Sequence, residues 1–197
     1  MKLILFALFF PVFCFAQNGQ KKLSDGVVDS VPGTSVVLKN YEVIFQKVYT
    51  SKLTADELGN QLFTLLSTTK GFRFDRRISP DGDQLIGRLV KYVVDAQRYN
   101  GYTVFGMAGI LSYPVDASVV VNVKDFKYRV TVSELSFNHI ETATKGEFRD
   151  VKLSDYITKK NRSRFATGKS DLKIARAIDQ DLSNKFDLQK SNLSDDF

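Results

Sequence analysis

The stretch Ala117–Ser136, ASVVVNVKDFKYRVTVSELS, decides the fold class. In its second half Tyr128, Val130 and Val132 alternate with Lys127, Arg129, Thr131 and Ser133. That period of two is the mark of a strand with one buried face and one wet face. The first half, Ala117–Lys124, is dense in valine, which leaves Asp125-Phe126 as a two-residue turn between the arms. A hairpin with a wet face belongs to an antiparallel sheet, because parallel sheets are covered on both sides. The dry face then needs helices to cover it, and the class is α+β.

Working outward, Tyr41–Thr50 (YEVIFQKVYT) reads as another strand, with Val43, Phe45 and Tyr49 on one face. Leu53-Thr54-Ala55-Asp56-Glu57-Leu58 carries a helix start: Thr54 as cap, Glu57 three residues on to close a capping box, Leu53 to staple onto Leu58. Leu58, Leu62, Leu65 and Leu66 then form one apolar stripe, and the helix is expected to end near Thr69, before Gly71. Phe72–Ile78 and Gln84–Asp95 are expected to form a hairpin around Ser79-Pro80-Asp81-Gly82-Asp83. Asn100-Gly101 marks a further turn, and the stretch to Tyr113 reads as either a third hairpin arm or an irregular loop. From Ser170 a second helix is expected, with Ala175, Ile178, Leu182 and Phe186 on one face.

The N-terminus reads as an export signal. Met1-Lys2 is a positive start, Leu3–Phe10 an unbroken apolar run, and Cys14 and Ala16 are the small residues before a cleavage leaving Gln17. The apolar stretch is too short for a permanent transmembrane helix. Two other readings of this segment are a lipid-modified Cys14, opposed by the bulky Val12-Phe13, and a buried N-terminal helix or strand. The first 16 residues hold 14 apolar side chains, so the mature chain is of ordinary hydrophobicity and no second span is expected in it. Loss of the signal also removes Cys14, the one cysteine, so the exported protein must be stable without disulfides. The expected division is 1–16 signal peptide, 17–35 flexible linker, 36–138 α+β core, 139–169 basic polar connector, 170–186 C-terminal helix and 187–197 frayed tail. The expected location is the periplasm or cell envelope.

The order strand, capped helix, antiparallel strands resembles a known family, on the phrases Lys47-Val48-Tyr49, Leu53–Leu58 and Val123-Lys124-Asp125-Phe126-Lys127-Tyr128-Arg129-Val130-Thr131-Val132. It is similar to the exported Bacteroidota proteins grouped as domain of unknown function 4468, over roughly Tyr41–Asn138. The resemblance implies a TATA-binding-protein-like fold, a curved antiparallel sheet with one or two helices on one face. It implies glycine in the turn, where this chain has Phe126. It supplies no catalytic residues, and a shared fold does not carry function.

Composition narrows the chemistry. His139 is the one imidazole, so a Ser-His-Asp triad or a zinc site has a single candidate and no partner histidine or cysteine. Asp75 with Asp81-Gly82-Asp83 lacks the spacing of a calcium loop and reads as a hairpin turn. Asp56-Glu57 and Asp179/Asp181 do not share helix faces, so no paired-carboxylate site is assembled. Gly101, Gly106 and Gly109 lack the order of a dinucleotide cradle. No cofactor and no metal is expected.

Two features remain. Lys159, Lys160, Arg162, Arg164, Lys169, Lys173 and Arg176 face one acid, Asp171, within the same segment, a local balance of +6 against +6 for the whole chain and +5 once Lys2 is cleaved off. It reads as a solvated connector or as a contact for an anionic surface. Tyr156 and Phe165 are too sparse to stack nucleotides, so no nucleic acid partner is expected. Asp29-Ser30-Val31 resembles an O-glycosylation acceptor, with Ser30 as the site. The leading function is a non-catalytic envelope binding module with an unnamed envelope protein or anionic surface as partner. The alternatives are lipid or polyanion association through 159–176, and an enzyme whose pocket gathers Arg88, Tyr92, Arg98 and Tyr128.

Overall fold

In the computed structural model, which describes residues 26–78, 84–100, 108–142 and 144–191, Lys124 and Lys127 face each other across the turn Asp125-Phe126. The arms are β6 (Val115–Lys124) and β7 (Lys127–Glu141). Phe126 stands at φ 64°, a left-handed conformation that costs a side-chain-bearing residue roughly 1–2 kcal/mol. Two hydrogen bonds offset that cost: Phe126 N–H donates to the Leu53 carbonyl at 3.0 Å, and Ser51 N–H donates to the Phe126 carbonyl at 2.8 Å. The turn is therefore held by the segment that leads into the first helix.

Around this hairpin the sheet runs β1 (Val27–Ser30), β2 (Val36–Lys39), β3 (Glu42–Thr50), β7, β6, β5 (Gln84–Tyr92), β4 (Phe72–Ile78), every neighbour antiparallel. β8 (Phe148–Lys152) pairs with the distal half of β7. Inward positions form one core: Val36 and Leu38, Val43 and Phe45, Val130 and Val132, Val119 and Val121, Leu85 and Leu89. Helix α1 (Ala55–Thr68) adds Leu58, Leu62 and Leu66 to it, and α4 (Lys169–Lys185) adds Ile174, Ala175, Ile178 and Leu182. The short helix α3 (Leu153–Ile157) adds Leu153 and Ile157. The cap of α1 is as its sequence requires: Glu57 Oε2 accepts the Thr54 N–H at 2.9 Å, which holds the Glu57 carboxyl below its usual range. Asp125 of the β6–β7 turn adds a second acceptor, 2.8 Å from the Ala55 N–H.

Among the described residues the sheet breaks register in five places, and three of these are built the same way. Lys91, Glu134 and His139 take φ of 51°, 56° and 58°, each at a break in register. A bulged residue leaves its N–H out of the ladder. Here a carboxylate from the adjacent strand takes it: Asp116 for Lys91 at 2.7 Å, Glu42 for Glu134 at 2.6 Å, Asp150 for His139 at 3.1 Å.

Several sequence expectations change. The expected linker 17–35 contains β1, and Val31 is buried at 2% exposure; positive-φ Gly26 and Gly33 let this short segment turn and pair, which its polar composition concealed. The expected connector 139–169 holds the end of β7, β8 and α3, whose exposed positions make it polar while Leu153 and Ile157 reach the core. β5 ends at Tyr92 rather than Asp95 and short α2 (Ala96–Asn100) follows; of the stretch read as either a hairpin arm or an irregular loop, the described part holds a 3-10 turn at Gly109–Ser112. The tail is tied down as α5 (Leu188–Ser191), with Leu188 buried. The signal segment 1–16, the linker to residue 25, the turn 79–83, the glycines 101 and 106 and the end of the tail, 192–197, lie outside the described residues.

Candidate functional site

The basic segment is an ordered hairpin followed by a helix face. Past α3, Thr158 and Phe165 pair across a short bridge, with Lys159 N–H donating to the Arg164 carbonyl at 2.9 Å. Arg162, at φ 50°, closes the turn by donating its N–H to the Lys159 carbonyl at 2.7 Å. Phe165 is buried, and its N–H is held by Asp29 Oδ2 of β1 at 2.8 Å, so the hairpin is pinned to the N-terminal edge of the sheet. Arg162 is bonded to Asp155 of α3. Lys159, Lys160 and Arg164 stay exposed.

Lys169, Lys173 and Arg176 are spaced i, i+4, i+7 on α4, which places them along one exposed stripe of the helix. Arg164 and Lys169 are five residues apart, so their Cα atoms lie within about 18 Å even for an extended chain. The seven predicted cations thus lie on a folded hairpin and a helix that follow one another within residues 159–176. Asp179, on the same helix, accepts the Ser35 N–H at 2.6 Å and fastens α4 to the start of β2.

What holds α4 in place was not visible in the sequence. Three strand tyrosines reach its C-terminal half from the core. Tyr49 Oη donates to the Ser183 carbonyl at 3.1 Å, and Tyr128 Oη donates to the Phe186 carbonyl at 2.9 Å while accepting the Leu188 N–H at 3.1 Å. Their rings stack at 4.8 Å. Tyr92 Oη donates to Asp181, and Lys185 Nζ lies 5.7 Å from the Tyr92 ring. Tyr49 and Tyr128 thereby satisfy carbonyls that a helix end leaves open. Burial raises the pKa of Asp181, and burial, reinforced by mutual proximity for Tyr49, pushes Tyr49 and Tyr128 far above the usual phenol range. These are structural hydrogen bonds and carry no reacting group to solvent. The signal for them was the tyrosine at inward strand positions and an acid inside an apolar helix stripe.

The residues of the enzyme reading do not converge. Tyr92 and Tyr128 point into the core, whereas Arg88 lies on the opposite, open face of the sheet, bonded to Asp75 at 3.4 Å. His139 is exposed on its bulge, with its ring 6.1 Å from Phe148. A shallow depression of about 840 Å³ lies beside it at the β7–β8 turn, lined by Glu141, Thr142, Glu147, Phe148 and Arg149. Among the described residues no group of three or more His, Cys, Asp or Glu is placed to hold a metal ion, and no helix is long and apolar enough to cross a membrane. Ser30 is exposed in β1, between Asp29, whose carboxylate is engaged by Phe165, and buried Val31.

No family model and no curated protein matches the chain. Two solved structures do. One is a TBP-like protein from Parabacteroides distasonis, at 12% identity and a TM-score of 0.45, the match covering 80% of this chain and 91% of that one. The other is a DUF4468 family protein from Bacteroides ovatus, at 14% identity and the same TM-score, covering 79% and 92%. The second description names the family that the hairpin and the capped helix resemble, and the first names the fold type that this resemblance implies.

Proposed function

We propose that the chain is an exported, non-catalytic binding module of the periplasm or envelope, and that it engages anionic surfaces through the hairpin and helix of residues 159–176. One observation carries this reading: the cations sit on folded backbone while three of the nearby acids are turned to other tasks. Asp29, Asp179 and Asp155 bind Phe165 N–H, Ser35 N–H and Arg162, leaving Lys159, Lys160 and Arg164 directed to solvent. A fixed scaffold lowers the ordering cost of binding, which a flexible basic tail would bear in full. Each cation near an anionic bilayer contributes about 1 kcal/mol, so three account for about 3 kcal/mol, or roughly two orders of magnitude in partitioning.

Co-sedimentation with phosphatidylglycerol/phosphatidylethanolamine vesicles tests it, against phosphatidylcholine vesicles as the neutral control. Retention on the anionic vesicles that falls with salt and is lost in Lys159→Gln/Lys160→Gln/Arg164→Gln is the expected result. Equal recovery with both vesicle types contradicts the proposal. Ser30 enters the same proposal as an O-glycosylation acceptor used before folding, because Val31 and the Asp29 carboxylate are engaged in the folded chain. A native mass matching the unmodified chain refutes that part.

A further inference from the structure

β4 ends the strand order and, among the described residues, has one ladder partner, β5. Its sequence, FRFDRRI, places Arg73 and Arg76 three residues apart, which on a regular strand puts them on opposite faces. The register break between Phe74 and Arg76 inserts Asp75 as an extra residue. Arg73 then lies opposite Arg88 and Arg76 opposite Ile86, so both turn to the open face of the sheet. Their partners on β5 are two residues apart, which spaces the two arginines by about 6.8 Å along the strand.

This arrangement is not one that stability favours. Arg73 directly opposes Arg88, and like charges across a ladder destabilise it. Asp75, the acid among them, is bonded to Arg88. On the other face of the same strand Phe74 meets Phe63 of α1 edge-on at 5.0 Å, and Phe63 is 43% exposed. This edge, unpaired on its outer side among the described residues, carries Arg73 and Arg76 on one face and, on the other, Phe63 and Phe74 beside Arg77, which donates to Asn60 Oδ1 at 3.0 Å.

We infer that β4 is a docking edge for an extended acidic segment of a partner protein, with carboxylates on alternate residues and apolar side chains between them. Alternate residues of an extended chain repeat at about 6.8 Å, the spacing of Arg73 and Arg76, and a carboxylate matches the planar guanidinium fork. The intervening apolar residues fall on the Phe63–Phe74 side while the backbone extends the sheet. Positive charge on an edge also discourages pairing with neutral or basic strands, so the same arginines select the acidic one. This surface is separate from residues 159–176 and does not depend on their role.

Fluorescence anisotropy of the full chain with a labelled peptide of alternating glutamate and valine tests the inference. Binding is expected to weaken with salt and to fall about tenfold or more in Arg73→Gln/Arg76→Gln. The double lysine variant should also bind less tightly, since it keeps charge and loses the fork. Lys159→Gln/Lys160→Gln/Arg164→Gln should bind like the unaltered chain. The arginine positions are exposed, and circular dichroism with a denaturation midpoint no lower than the parent's confirms that the variants fold. Equal binding of a peptide with the same residues in blocks, or no effect of the Arg73/Arg76 changes, overturns it. Tighter binding of polyphosphate that is lost in the same variants also overturns it, in favour of a phosphate ligand.

Discussion

Tyr128→Phe removes one oxygen atom and tests how the C-terminal helix is held. The ring and its stack on Tyr49 remain, so packing is nearly unchanged. Two buried partners are lost at once: the Phe186 carbonyl at 2.9 Å and the Leu188 N–H at 3.1 Å. Each polar group left unsatisfied costs about 1–3 kcal/mol. Phe186 is 1% exposed and Leu188 is 7% exposed, so water replaces the hydroxyl poorly. The expected loss is therefore about 2–4 kcal/mol, taking the lower part of the summed range because the end of a helix can relax. Tyr49→Phe, which strands only the Ser183 carbonyl, should cost about half as much. Urea denaturation followed by far-UV circular dichroism measures both. A Tyr128→Phe midpoint equal to that of the parent chain, at an unchanged slope, would refute the claim that this hydroxyl anchors the α4–α5 junction.

Other perturbations address the core, the turns and the titrating groups. Leu62→Ala, at a fully buried position of α1, should cost about 2–5 kcal/mol by thermal or urea unfolding. Phe126→Gly should raise stability by about 1 kcal/mol, since glycine takes φ 64° without the left-handed penalty and the side chain it removes is exposed. Asp116→Ala should lower it by about 1 kcal/mol by leaving the Lys91 N–H without its acceptor. For Asp181 the sign follows from its raised pKa: the folded chain binds the proton more tightly than the unfolded one, so this group favours folding below the unfolded carboxylate pKa of about 3.9 and loses that contribution as pH rises through its higher native value. Asp181→Asn should flatten that part of the stability profile, and an unchanged profile would show that the group does not titrate with folding.

Local signals carried the legible part of the fold. The Tyr128/Val130/Val132 alternation and the Thr54/Glu57 box each act within a few residues, and both stand where their chemistry requires. β1 and β8 were hidden because a short strand with one partner exposes most of its residues and looks like linker. The bulges at Lys91, Glu134 and His139 depend on acids in adjacent strands, from 11 to 92 residues away. No local pattern announces such a pairing. The basic segment was legible as charge. Its shape was not, because the contact that shapes it joins Phe165 to Asp29, 136 residues apart. The Tyr92–Asp181 pair was missed for the same reason, although an acid within the Ile178/Leu182 stripe marks a carboxylate that needs a partner.

Hydrogen exchange of the full chain, with and without phosphatidylglycerol vesicles, tests the central claim most directly because it locates contact rather than inferring it from charge. Added protection is predicted across 158–176, in the hairpin and the first turns of α4, with none in β5 on the open face of the sheet. Vesicle-dependent protection that appears elsewhere and spares 158–176 would contradict the assignment of this segment as the binding surface.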